Sequence, residues 1–159
     1  VEPQKGEMLY LSSPSSDQGP PLDMMLSAFD LGGAIVPKKL SDTVVGATRD
    51  DSGFDRSVTK KGRREIIEKT GRLSDRINTA RFSGATACLR PKPVDGIPYV
   101  GVVPGWSGAY LASGHWSEGV HFAPLTGHVL SEMIAGVPIT CDVSALSPER
   151  VLKESSSPR

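Results

Sequence analysis

The sequence predicts a mixed α/β chain: a β-hairpin and a helix, then short strands closed by a second, long helix. Three observations predict it. Two β-branched runs, Gly33-Ala34-Ile35-Val36-Pro37 and Thr43-Val44-Val45-Gly46-Ala47-Thr48, flank a polar five-residue segment at 38–42 and read as a hairpin. Ile66, Ile67, Thr70, Leu73 and Ile77 then recur at helical spacing. After a stretch punctuated by Gly and Pro, residues 119–135 give a second helical pattern that ends at Gly136 and Pro138. A chain of 159 residues suffices for one domain with its own core, or for two lobes that each lean on something else.

Taken in order, Gly6-Glu7-Met8-Leu9-Tyr10-Leu11 is β-rich although it alternates poorly, and the Ser/Pro/Gly-rich stretch 12–21 after it reads as a surface loop. The hairpin follows. Residues 59–78 predict one helix with Thr59 as its N-cap, because a Thr hydroxyl accepts an orphan N–H of the first turn. Glu65 with Lys69, and Glu68 with Arg72, support it at i,i+4. Leu89-Arg90-Pro91, Asp95-Gly96, Tyr99-Val100-Gly101, Pro104-Gly105 and Ala109-Tyr110-Leu111-Ala112 predict short strands joined by tight turns. In the last helix Ala123, Gly127, Leu130 and Ile134 form one seam. A helical Gly is less favourable than Ala by about 1 kcal/mol, so Gly119 and Gly127 predict a close approach to the backbone. The tail, residues 143–159, ends in Glu-Ser-Ser-Ser-Pro-Arg and predicts a disordered tip.

The charge balance excludes several functions. Eighteen basic and 18 acidic residues cancel, which leaves no net field to draw nucleic acid, an anionic membrane or an acidic substrate. The cluster Lys60, Lys61, Arg63, Arg64 shares its helix with acids and reads as a solvated face. Cys88 and Cys141 stand far apart, which predicts two buried thiols in a reducing compartment and a cytoplasmic location. No run reaches the roughly 18 apolar residues of a membrane span, and nothing near Val1 resembles a signal peptide. The chain opens on Val1 rather than Met, which leaves room for a preceding segment.

Two places invite chemistry. The start of the last helix, at Gly119 and Val120, exposes unpaired N–H groups and the positive end of the helix dipole. With Gly114-His115-Trp116-Ser117-Glu118 before it and small residues within it, this arrangement brings backbone against a flat ligand. Arg90, beside Pro91 in an otherwise apolar segment, suits either bidentate carboxylate binding or a structural salt bridge. Glu118 with His121, and His128 with Glu132, have metal-ligand spacing but no further ligand cluster. Gly105-Trp106-Ser107-Gly108-Ala109 misses the G-x-S-x-G nucleophile elbow at its last position, and no helix follows it. Neither G-x-x-x-x-G-K-[ST] nor G-x-G-x-x-G occurs.

From Leu89 onward the residues follow a known pattern. Arg90-Pro91-Lys92-Pro93-Val94-Asp95-Gly96-Ile97-Pro98-Tyr99-Val100-Gly101, then Gly114-His115, Gly119, Ala123-Pro124 and Thr126-Gly127, resemble the glycine oxidases of the D-amino-acid oxidase superfamily. Gly6-Glu7-Met8-Leu9, Ile35-Val36-Pro37, Val45-Gly46-Ala47-Thr48, Gly53-Phe54-Asp55 and Thr59 agree as well, so the likeness runs from about Pro3 to Ile139. The resemblance implies an antiparallel-sheet substrate lobe at 1–81, and at 82–142 the last strands and closing helix of a Rossmann-like FAD-binding lobe. The N-terminal half of that fold, with its Gly-rich FAD turn, lies outside this chain and would be a partner. The implied reaction is oxidative deamination of a small amino acid or amine, with hydride passing from substrate Cα to flavin N5 and oxygen reoxidising the FAD.

Arg90 would hold the substrate carboxylate, while Gly114, His115, Ser117, Glu118, Gly119, Val120 and His121 would line the flavin. Glycine oxidases tend to have a substrate-contacting Tyr where this chain has Ala34, and a second Arg where it has Ser117. Arg49 is the residue positioned to substitute. The departures point toward another amine, a larger D-amino acid or a secondary amino acid. A dehydrogenase of the same fold and a non-catalytic partner-binding module are the alternatives.

Overall fold

The computed structural model describes residues 1–14, 22–28, 32–38 and 42–151. Residues 15–21 of the Ser/Pro loop, 39–41 of the hairpin loop and the tail tip from 152 lie outside them. The elements are β1 (Glu2–Ser12), β2 (Leu26–Ala28), β3 (Gly33–Pro37), β4 (Asp42–Gly46), α1 (Lys60–Gly71), α2 (Asp75–Thr79) and β5 (Arg81–Lys92), then β6 (Tyr99–Val102), β7 (Tyr110–Ser113) and α3 (Gly119–Ala135). A 3₁₀ turn at Ser144–Leu146 follows. They form two compact units, Pro3–Leu89 and Arg90–Arg159 with Val1–Glu2. This division falls after Leu89, whereas the resemblance places the lobe boundary after Arg81.

The first unit is a five-stranded sheet in the order β2-β3-β4-β1-β5. The expected hairpin is present, with β3 antiparallel to β4 and Ile35 opposite Val45. Lys38 N–H closes it by donating to the Asp42 carbonyl at 2.8 Å. Leu9 lies opposite Val45 on the next strand, so Ile35, Val45 and Leu9 form one buried row. With Leu11, Ile66 and Ile77 they make the core, and such apolar burial is worth about 25 cal/mol per Å². The β1 face bearing Leu9 and Leu11 also carries Lys5 and Glu7, both buried. Half of its inward row is ionic, which is why the segment alternates poorly as a sequence.

Helix α1 lies against β3 and β4 through Ile66 and Thr70. Thr59 is its N-cap, with Gly62 N–H donating to Thr59 Oγ1 at 2.9 Å. The single helix expected over 59–78 is two. The Thr70 hydroxyl donates to the Ile66 carbonyl at 2.7 Å, α1 ends at Gly71, and Ser74, extended at φ −158°, starts α2. Cys88 is exposed beside buried Ala87 on β5, and Cys141 is half-buried, so the expectation of two buried thiols is corrected by the outward side of that strand.

In the second unit β6 and β7 form an antiparallel hairpin, with Tyr99 opposite Ser113. Helix α3 packs on β6, and Val129 is its buried residue. It ends as expected on Gly136 in the left-handed region at φ 67°. The predicted seam faces elsewhere: Ala123, Gly127 and Ile134 are exposed and Leu130 is half-buried, because the helix meets β6 on the Thr126/Val129 side. No helix among the described residues is long and apolar enough to cross a membrane.

Candidate functional site

Strand β7 runs into Gly114, and the next turn delivers the chain to α3. Gly114 has φ 78°, and a Cβ there would stand 3.1 Å from Tyr99 Cδ2, 3.4 Å from Pro93 Cβ and 3.5 Å from Pro98 Cα. Both conformation and space therefore require glycine. His115 Nε2 lies 2.9 Å from Thr126 Oγ1, which ties the start of the turn to the body of α3. Trp116 takes the left-handed region at φ 52°, uncommon for a bulky residue, and Glu118 N–H donates to the His115 carbonyl at 2.9 Å. The loop is thus tightly wound immediately before the helix.

Glu118 occupies the N-cap but its carboxylate makes no cap hydrogen bond. Instead Oε1 accepts from Ser117 Oγ at 2.9 Å and Oε2 lies 3.0 Å from His121 Nδ1. The N–H groups of Gly119, Val120 and His121 have no acceptor a turn earlier, because the helical ladder opens with Phe122 N–H donating to the Glu118 carbonyl at 3.1 Å. The helix start is open: Val120 is 86% exposed, and a Cβ on Gly119 would meet only His115 Cβ, at 3.6 Å. This donor set suits an acceptor carrying partial negative charge. All seven residues expected around the flavin fall on this one loop and first helical turn.

The two arginines fall in different units. Arg90 sits half-buried near the end of β5, and Arg49 is exposed in the segment after β4. The carboxylate and imidazole spacings resolve into separate pairs. His121 meets Glu118, while His128 Nε2 lies 3.1 Å from Glu132 Oε1, whose partner oxygen accepts from Thr140 N–H at 2.9 Å. Among the described residues no group of three or more His, Cys, Asp or Glu is placed to hold a metal ion. A cavity of about 330 Å³ lies beside the loop, lined by His115, Phe122, Thr126, Val129 and Val143 among others.

Sequence reasoning missed two ionic clusters. Lys5 Nζ lies 3.3 Å from both Asp50 Oδ2 and Asp55 Oδ2. Arg150 Nε donates to Asp95 Oδ2 at 2.6 Å. The signal for the first was the period-2 row of positions 5, 7, 9 and 11; the second joins residues too distant in the chain to leave one.

The chain belongs to the FAD dependent oxidoreductase family, whose pattern matches residues 1–133. It is 30% identical over 151 residues to the glycine oxidase of Geobacillus kaustophilus, covering 94% of this chain and 38% of that protein. The solved glycine oxidase of that organism superimposes at a TM-score of 0.79 over 91% of this chain and 38% of its own, with 29% identity. The iminodiacetate oxidase of Chelativorans sp. BNC1 does so at 0.82 with 27% identity, over 92% of this chain and 39% of its own. The L-proline dehydrogenase of P. horikoshii, 18% identical, shares the fold at 0.82, over 97% and 41%. The chain therefore spans about two fifths of the length of the relatives it matches.

Proposed function

We propose that this chain is the C-terminal part of an FAD-dependent enzyme that oxidises a small amino acid or amine at its CH–NH group. The observation that carries the reading is the Gly114 turn running into the open start of α3. The first-turn N–H groups of Gly119, Val120 and His121 would hold the acceptor edge of the flavin ring and stabilise negative charge that develops there. Gly114 lets the turn pack against Tyr99, Pro93 and Pro98, and the His115–Thr126 contact ties the loop to the helix. Ser117 and Glu118 complete the wall. Bound FAD would supply the hydride acceptor at N5 and pass the electrons to oxygen.

Arg90 orients the substrate by a bidentate grip on its carboxylate, and Arg49 serves as a second anchor. Residues 1–81 form the substrate lobe and 82–142 the Rossmann-like FAD lobe, which the N-terminal half with its Gly-rich turn completes. Exposed Val120, Phe122, Leu125 and Ile134 on α3 support such a partner. Ala34 and Ser117, where glycine oxidases tend to have Tyr and Arg, favour a substrate other than glycine, such as a secondary amino acid.

The test is a visible absorption spectrum with FAD added to the chain alone and to the chain co-expressed with its N-terminal half. Flavin bands that need both halves, and bleach without air when an amino acid is added, are expected. Well-folded protein that binds no flavin in either form overturns the reading and leaves a partner-binding module.

A further inference from the structure

Arg150 lies outside every role assigned so far, yet it grips one short turn at three points. Its Nε donates to Asp95 Oδ2 at 2.6 Å and its Nη2 to Asp95 Oδ1 at 3.3 Å, a two-pronged charge-assisted pair. Nη2 donates also to the Ile97 carbonyl, and Nη1 to the Ser147 carbonyl at 3.2 Å. The guanidinium lies over the Tyr99 ring, 4.1 Å from its centroid. The side chains of Arg150 and Asp95 are only 18% and 21% exposed, so solvent screens the pair less than an open surface bridge.

What the turn supports gives the clamp a consequence. Tyr99 is buried, and its Cδ2 stands 3.1 Å from the Cβ position of Gly114, with Pro98 Cα at 3.5 Å. Gly114 therefore rests on Tyr99, whose ring Arg150 also covers. Pro148, two residues before Arg150, adds a second point of support, its Cδ lying 3.2 Å from the Cβ position of Gly101 on β6. A packed interior transmits such displacements rather than absorbing them.

We propose that Arg150 is a positioning residue for the 114–121 stretch: by clamping Asp95, Ile97 and Tyr99 it fixes the turn on which Gly114 and the start of α3 are built. The mechanical link stands on these contacts alone, and its effect on the cofactor rests on the flavin reading above.

The experiment uses the complete protein, this chain with its N-terminal half, as wild type, Arg150→Ala and Arg150→Lys. Amide exchange of residues 113–119 is measured without flavin, and FAD affinity by visible absorption. Arg150→Ala is expected to speed exchange at 113–119 about tenfold and to weaken FAD binding by a similar factor, with β3 and β4 unchanged. Arg150→Lys, a point charge without the fork or the stacking plane, should recover only part of both. Exchange at 113–119 within about twofold of wild type overturns the link, and raised exchange with unchanged FAD affinity overturns the positioning role. If Arg150→Ala opens the whole second unit, Asp95→Asn decides in its place by the same two readouts. Wild type that binds no FAD defeats the flavin reading, while the exchange result still decides the link.

Discussion

Glu7 holds both donors of Thr59: Oε2 accepts the backbone N–H and Oε1 the hydroxyl, each at 2.9 Å. Thr59 Oγ1 in turn accepts Gly62 N–H at 2.9 Å, so a carboxylate on β1 fixes the residue that caps α1. Glu7 N–H donates to Thr48 Oγ1 at 3.0 Å, and Lys5 beside it binds Asp55. One buried network thus fastens the 47–59 segment to the sheet. Glu7→Gln places an amide N–H₂ against a donor in a buried site, and a destabilisation of about 1–3 kcal/mol is expected by urea unfolding.

Gly62→Ala should destabilise, although Gly→Ala in a helix ordinarily gains about 1 kcal/mol. The new Cβ would stand 2.5 Å from Glu7 Oε2 and 2.6 Å from Cδ. That carboxylate is buried and tethered to Thr59, so it has no room to swing away. A loss of about 1–3 kcal/mol is expected, partly relieved in the double variant with Glu7→Ala.

Acid should unfold the protein through a few named carboxylates. The backbone N–H and hydroxyl of Ser57, then Lys5, hold Asp55 below the ordinary carboxylate value against the opposing effect of burial. Arg150 does the same first and foremost for Asp95, and Thr140 for Glu132. A depressed folded-state value gives stability that is complete above the unfolded value, about 4, and is lost as pH falls through the folded one. Lys5 behaves oppositely. Burial disfavours its ammonium, but the hydrogen bonds and charges of Asp55 and Asp50 outweigh this and raise its pKa, so its contribution survives until strongly alkaline pH. Thermal melts should fall off below about pH 4, and Asp55→Asn with Asp95→Asn should flatten that slope.

Arg90→Ala in the complete enzyme is expected to lower kcat/KM for carboxylate substrates by at least about 100-fold while bound flavin stays in place. Unchanged kcat/KM would defeat the substrate-binding role, and loss of flavin would move Arg90 to a structural one.

Gly127→Ala should distinguish the isolated chain from the assembled protein. Among the described residues no atom stands within 4 Å of its Cβ position, so here the change should stabilise by about 0.5–1 kcal/mol through helix propensity. If the N-terminal half packs against that face, the same methyl should weaken assembly, read as a higher concentration for half-maximal association in titrations of the two halves.

Elements governed by neighbours in the chain were legible in the sequence. The β3/β4 hairpin, the Thr59 cap, and α3 with Gly136 at its end each depend on contacts within a few residues, and all are present. The break after Gly71 was hidden, because apolar spacing continues through Leu73 in the link and Ile77 in a second short helix, and both pack with the core. The short edge strand β2 and the full length of β5 were hidden also, since Ser, Gly, Thr and Cys in residues 83–88 carry no period and only pairing within the sheet makes them a strand.

The sequence by itself determined the family, the hairpin and the small-residue turn before α3 with the helix stop after it, because glycine at 114 and 136 answers to local backbone demands. Only the tertiary structure decided which charges meet. Lys5 with Asp55, Glu7 with Thr59, and Asp95 with Arg150 lie about fifty residues apart in the chain. It also decided that α3 turns its Thr126/Val129 side to β6 and leaves Ala123 and Gly127 exposed. A helix's period identifies its faces, but the neighbour that removes one of them from water is set by the rest of the fold.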